Sequence, residues 1–229
     1  MKRLFAVALS GSLILSFSAC SSDTPSNSSA SETPAVSDGL TAGQRNALAD
    51  AKGYLDYSAF SLEGLIDQLE YERYDQADIV YAIKNCGADW NAEALESAKS
   101  YIKHSAFSYQ GLINQLEHEL FTAEQAAYGV DNCGADWNSE ALESATSYIK
   151  HSAFSHQGLI DQLEYGGFTP EQAAYGADNC GADWNAEAAE SAKSYLKHSS
   201  FSRDRLIDQL EYEGFTHEQA VYGAQANGY

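Results

Sequence analysis

Carboxylates are the reactive groups this 229-residue sequence offers most often, and they recur at a fixed interval: Glu70, Glu117, Glu164 and Glu211 lie 47 residues apart. Two carboxylates facing each other across a cleft can supply general acid and base, as in glycoside hydrolysis. A catalytic cleft needs one asymmetric set of groups, whereas each candidate here has copies at equivalent places. A solvated acidic face accounts for the pattern, and no enzyme is expected. The stretch DNCGADWNSE from Asp131 gathers oxygen-bearing side chains in the manner of a calcium loop, but Cys133 and Ala135 fall where ligands belong. Capping of a helix by Asp136 or Asn138 explains the same residues. His104, His151 and His198 appear once per copy without partners at metal spacing, and read as cations at helix C-termini. No metal and no cofactor are expected.

Cys86, Cys133 and Cys180 share one equivalent position, occupied by Asn227 in the last copy. An odd number of cysteines, one per copy, makes no disulfide framework, so reduced and partly buried thiols are expected. Cys20 stands in a different setting. The leader MKRLFAVALSGSLILSFSAC has two basic residues, an apolar stretch from Leu4 to Phe17 and small residues before the cysteine. It reads as an export signal over residues 1–19, too short for a stable membrane span. Ser18-Ala19-Cys20 resembles a bacterial lipobox, with Phe17 where Leu is usual, which makes Cys20 the expected lipidation site. Residues 20–40 then form a Ser- and Pro-rich tether that cannot bury a core. The expected location is the outer face of the bacterial cell membrane, held there by lipid.

The formal net charge is −20, and −22 once Lys2 and Arg3 leave with the signal. Such a surface repels nucleic acid and attracts basic partners. A helix-turn-helix pattern invites a DNA-binding reading, yet the last helical segments, such as TAEQAAYGVDNC, carry no Lys or Arg, and the first copy contributes only Lys84. No nucleic-acid partner is expected.

The period of 47 divides the rest into four units, 41–88, 89–135, 136–182 and 183–229, and signals a repeat array. Each unit contains three helical segments and no strand pattern, so the expected fold is all-α: a tandem array of four 47-residue three-helix, helix-turn-helix-like repeats. In the second unit Ala94, Leu95, Ala98, Tyr101 and Ile102 share one helical face, and Leu112, Ile113 and Leu116 another. Thr122 with Gln125, Thr169 with Gln172 and Thr216 with Gln219 fit the capping box. Gly167 and Gly214 suit the left-handed turn between the second and third helices, while Arg73 and Leu120 at the same place predict distorted turns. Phe60, Phe107, Phe154 and Phe201, with Trp90, Trp137 and Trp184 at the unit junctions, are assigned to packing. Most of the tyrosines, Tyr101 and Tyr128 among them, are expected on buried faces.

The landmarks Ala94, Leu95, Ala98, Tyr101, Phe107, Ser108, Leu112, Gln115, Leu116, Glu117, Phe121, Ala126, Tyr128 and Trp137, repeated in the other copies, resemble the Ltp family of host cell surface-exposed lipoproteins. The resemblance spans about residues 41 to 229. It implies helix-turn-helix-like units on the outside of a Gram-positive bacterium. Characterised members come from temperate phages and prevent superinfection by keeping phage DNA out of the cell, through contact with the phage tape measure protein. On that footing the expected partner is a basic protein such as a tape measure protein. The expected contacts are exposed acids around the second and third helices: Glu70, Glu117, Glu119, Glu124, Glu164, Glu171, Glu211 and Glu218. The alternative is an adhesion or scaffold role, binding cell-wall polysaccharide or another surface protein.

Overall fold

The computed structural model describes residues 39–229; the signal, Cys20 and nearly all of the tether lie outside the described residues. Twelve helices and no strand are present among the described residues, three helices to each unit. The first unit holds α1 (Ala42–Tyr57), α2 (Leu62–Tyr71) and α3 (Gln76–Asn85). The second holds α4 (Trp90–His104), α5 (Tyr109–His118) and α6 (Ala123–Asn132). The third holds α7 (Trp137–His151), α8 (His156–Tyr165) and α9 (Pro170–Asn179). The fourth holds α10 (Trp184–His198), α11 (Arg203–Tyr212) and α12 (His217–Ala226).

Local chemistry sets the helix starts. Asp89, Asp136 and Asp183 cap the long first helices, each accepting two backbone N–H groups. Ser61, Ser108, Ser155 and Ser202 cap the second helices. The third helices α6, α9 and α12 open with the capping boxes expected at Thr122, Thr169 and Thr216, and α1 opens with a further one, Thr41 with Gln44.

Within each unit the first and third helices form the closest pair. Gly129 of α6 lies so near the backbone of Ala94 that an added Cβ would sit 2.6 Å from its carbonyl oxygen; Gly176 and Gly223 meet Ala141 and Ala188 at 2.7 Å. The core is accordingly made of alanines where these helices cross and of paired leucines from the second helix. In the second unit Ala94, Ala98, Leu112, Leu116, Phe121, Ala126 and Val130 make one buried cluster. Leu95, Tyr101, Ile102 and Ile113 pack against it from half-buried positions.

The turns at Arg73 and Leu120 depart from expectation, for they are not distorted. Arg73 has φ 66° and Leu120 φ 70°, the left-handed conformation that Gly167 and Gly214 adopt at φ 89°. The same backbone bonds close all four turns, such as Phe121 N–H to the Leu116 carbonyl at 3.1 Å and Phe215 N–H to Leu210 at 3.1 Å. The unit's packing therefore overrides the side chain's preference. A non-glycine residue in this region costs about 1–2 kcal/mol, partly offset by the lower entropy of the unfolded chain. Leu120→Gly is expected to stabilise the protein by up to about 1 kcal/mol, and an unchanged or lower thermal midpoint would refute the strain.

Candidate functional site

The acids singled out from the sequence flank the turn between the second and third helices. Glu70, Glu117, Glu164 and Glu211 stand in the last turn of the second helix and are exposed in every unit. Glu124, Glu171 and Glu218 stand in the first turn of the third helix, also exposed, where their charge faces the positive helix end. For Glu124, hydrogen bonds from the backbone and from Thr122 hold the carboxyl below its usual range. Glu211 is bonded to His217 Nδ1 at 2.6 Å across the turn.

Glu119 must be removed from the set of free acids. It is half-buried, and its carboxylate accepts from the Tyr101 hydroxyl and from Ser97 Oγ at 2.9 Å. Glu213 repeats the arrangement with Tyr195 and Ser191. Burial, then the neighbouring Glu119, pushes the Tyr101 hydroxyl up to about 12. Glu119 thus clamps its own unit's first helix to the turn through both carboxylate oxygens. Sequence position alone, two residues beyond Glu117, does not separate these roles.

The tyrosines correct a second expectation. Tyr165 is 90% exposed and Tyr212 88%, each ending its helix directly after the acid, and Tyr71 has the same place in the first unit. Tyr128, Tyr175 and Tyr222 on the third helices are also exposed. Each acidic turn in the first, third and fourth units therefore pairs a carboxylate with an exposed aromatic ring, and in the second unit His118 takes that place. Helix geometry carried the signal for Tyr71: with Leu65 and Leu69 inward, a residue two positions on points away from the core.

The units are joined by one set of contacts used three times. Ser61 Oγ accepts from Gly64 N–H at 3.0 Å and donates to the Glu119 carbonyl of the next unit at 2.6 Å. Ser108 does the same for Gly166 at 2.6 Å, and Ser155 for Glu213. Beside each serine a phenylalanine N–H reaches a carboxylate of the next unit: Phe60 to Glu93 at 3.2 Å, Phe107 to Glu140 at 3.0 Å and Phe154 to Glu187 at 3.2 Å. The phenylalanine rings stack edge-on or tilted against Tyr54, Tyr101, Tyr148 and Tyr195, with centroids 5.4–5.9 Å apart. Trp90, Trp137 and Trp184 each pack against the core cluster of the unit before their own.

Burial raises the carboxyl pKa of Glu93, Glu140 and Glu187, with the phenylalanine N–H acting in the opposite direction. A carboxyl whose folded pKa is raised costs stability when charged. That cost is fully present above the folded pKa and disappears as pH falls toward the usual carboxylate value. Stability is therefore expected to rise as pH falls through the raised folded pKa values toward the usual carboxylate value, a trend helped by relief of the protein's net negative charge. Glu140→Gln keeps an acceptor for Phe107 and should flatten this dependence without loss at pH 7.5. Glu140→Ala orphans the Phe107 N–H and should cost about 1–3 kcal/mol. Thermal melts across pH decide it, and a midpoint that falls steadily below pH 7.5 contradicts the assignment.

Cys86, Cys133 and Cys180 are free thiols whose Sγ atoms donate to the carbonyl three residues back, at 3.1–3.3 Å. His104 and His151 bond helix carbonyls four residues back at 2.8 Å. Between the third and fourth units an open groove of about 870 Å³ is lined by Phe154, Glu190, Ser194, Tyr195 and His198 among others.

These features define an all-α tandem repeat protein whose distinctive surface is a carboxylate-bearing turn shown once per unit. The chain belongs to the host cell surface-exposed lipoprotein family: its family model matches four times, over residues 43–86, 89–133, 136–180 and 183–226. Neither the curated proteins nor the solved structures include a match to the chain. It is a surface-exposed lipoprotein by family, and among the described residues no helix is long and apolar enough to cross a membrane.

Proposed function

We propose that the chain, anchored to the outer face of the cell membrane through lipidated Cys20, binds a basic protein and excludes superinfecting phage by blocking DNA entry. The partner in this reading is the tape measure protein of the incoming phage tail. The observation that carries it is the exposed acid beside an exposed ring, repeated at the turns after Glu70, Glu164 and Glu211. Carboxylates attract Lys and Arg, and tyrosine faces add cation–π contact with the same side chains. Repetition along an array held near the membrane raises the effective concentration of each copy for a long ligand. No catalytic step is involved.

Expression in a phage-sensitive host, with a Cys20→Ala control, tests this when adsorption and DNA entry are measured separately. Normal adsorption with blocked entry, lost in the control, is the expected result. Unimpaired entry across a broad phage panel would overturn it.

A second reading, binding of cell-wall polysaccharide, draws on the same exposed tyrosines and on the hydroxyl-lined groove between the third and fourth units. Retention on cell-wall fractions without any phage phenotype would select it.

A further inference from the structure

At the turn after its second helix, each of three units makes a contact that the third unit does not. Tyr54, Tyr101 and Tyr195 donate their hydroxyls to a glutamate of their own turn, Glu72, Glu119 and Glu213 respectively. In the second and fourth units the other oxygen of that carboxylate accepts from a serine hydroxyl, Ser97 or Ser191, at 2.9 Å in both. The third unit keeps both donors, as Tyr148 and Ser144, but carries Gly166 where the glutamate stands. Neither hydroxyl donates to any of the described residues.

The frame around Gly166 is the same as in the units that hold the acid. Gly166 closes α8 at φ −72°, near the −85° of Glu119 and the −81° of Glu213. Its carbonyl accepts from Ser108 at 2.6 Å, as the Glu119 carbonyl accepts from Ser61 at 2.6 Å. Gln162 Nε2 donates to the Tyr148 hydroxyl at 3.5 Å, as Gln115 and Gln209 donate to Tyr101 and Tyr195 at 3.0 and 3.1 Å. The phenol's own proton is thereby left to be given onward. Ser97 and Ser191 are buried, whereas Ser144 is half-buried, for Gly166 has no side chain to cover it. Two hydroxyl donors, placed in the other units on the two oxygens of one carboxylate, thus stand ready beside a glycine.

We infer that the third unit holds a binding site for a small aliphatic carboxylate of the size of propionate, with Tyr148 and Ser144 as its donors. A glutamate side chain is two methylenes and a carboxylate, and propionate has the same atoms with a hydrogen in place of the bond to the main chain. No cation is required, since neither Glu119 nor Glu213 forms an ion pair among the described residues. Space favours a free acid over the side chain of a partner protein, because the Gly166 main chain still occupies the place from which a glutamate reaches in. The net charge of −20 opposes any anion, but surface charges farther off than about 8 Å are largely screened at physiological salt. The site lies between α7 and the turn that carries the exposed Glu164 and Tyr165, and it rests on neither functional reading.

NMR titration of the ¹⁵N-labelled full chain with sodium propionate, against sodium chloride at equal ionic strength, tests the inference. The Gly166 backbone amide and the Gln162 side-chain amide should shift saturably, with a Kd of about 1–20 mM. The side-chain amides of Gln115 and Gln209, whose units hold their own glutamate, should stay in place. Propionamide, the neutral counterpart, should bind at least about fivefold more weakly. Tyr148→Phe removes only the hydroxyl and keeps the ring against Phe154; it should weaken propionate about five- to tenfold. Gly166→Glu should abolish binding and raise the thermal midpoint, since the carboxylate is then supplied by the chain itself. The absence of a saturable shift up to about 100 mM, equal shifts in all four units, equal binding of propionamide or binding that survives Gly166→Glu overturns the site. Binding of a glutamate blocked at both ends, N-acetylglutamate α-methylamide, about tenfold more tightly than propionate would assign the site to a protein side chain and overturn the free acid.

Discussion

Leu163→Ala should lower the stability of the third unit by about 2–5 kcal/mol, the range for emptying a buried leucine site. The position has no exposed surface, and the cluster around it is otherwise largely alanine: Ala141, Ala145, Ala173 and Ala177, with Leu159 and Phe168. Small neighbours on rigid helices have little side chain with which to fill the void, so the loss belongs toward the upper half of that range. Denaturant titration gives the value. A cost below about 1 kcal/mol would mean that the helices close over the cavity.

Gly176→Ala should also destabilise, by about 1–3 kcal/mol, even though alanine is the better helix former by about 1 kcal/mol. The new Cβ would lie 2.7 Å from the Ala141 carbonyl oxygen, 3.0 Å from the carbonyl carbon and 3.3 Å from Leu163 Cδ1. Leucine can turn aside from such a contact, whereas the α7 backbone cannot without shifting the helix. The double variant Leu163→Ala/Gly176→Ala therefore recovers little of the second loss, since the contact that matters is with main chain. A stabilised Gly176→Ala protein would show that α7 and α9 can part freely. The first unit carries Ala82 at this crossing, fully buried. Its helix pair has formed around a methyl group, which the other three have not.

Much of this architecture is legible in the sequence because it is decided locally. A Thr with a Gln three residues on, an Asp before Trp-Asn, a Ser before the second helix and a Gly after it each fix a helix boundary by hydrogen bonds within a few residues. The 47-residue period repeats these signals from unit to unit. What escapes is decided across the junctions. Glu93 looks like a residue placed for the helix dipole, and nothing local shows that its carboxylate binds Phe60 N–H, 33 residues earlier. Glu117 and Glu119 look alike as neighbouring acids, yet one is solvated and the other is bound to Tyr101 and Ser97. Tyr128 recurs at a helical spacing shared by inner and half-open positions, and only the finished packing leaves it exposed. Arg73 and Leu120 show the converse, a local preference overruled by a turn that the whole unit requires.

The position of the tryptophans has an optical consequence. Each indole packs, half-buried, against the core of the unit before its own, so Trp90 reports on the first core, Trp137 on the second and Trp184 on the third. The fourth core contains none. Intrinsic tryptophan emission from this protein is therefore a signal of three junctions and is dark to the last unit. If the array frays from its far end while the other three units hold, fluorescence would register nothing until the junction at Trp184 opened, whereas circular dichroism would already have lost α11 and α12.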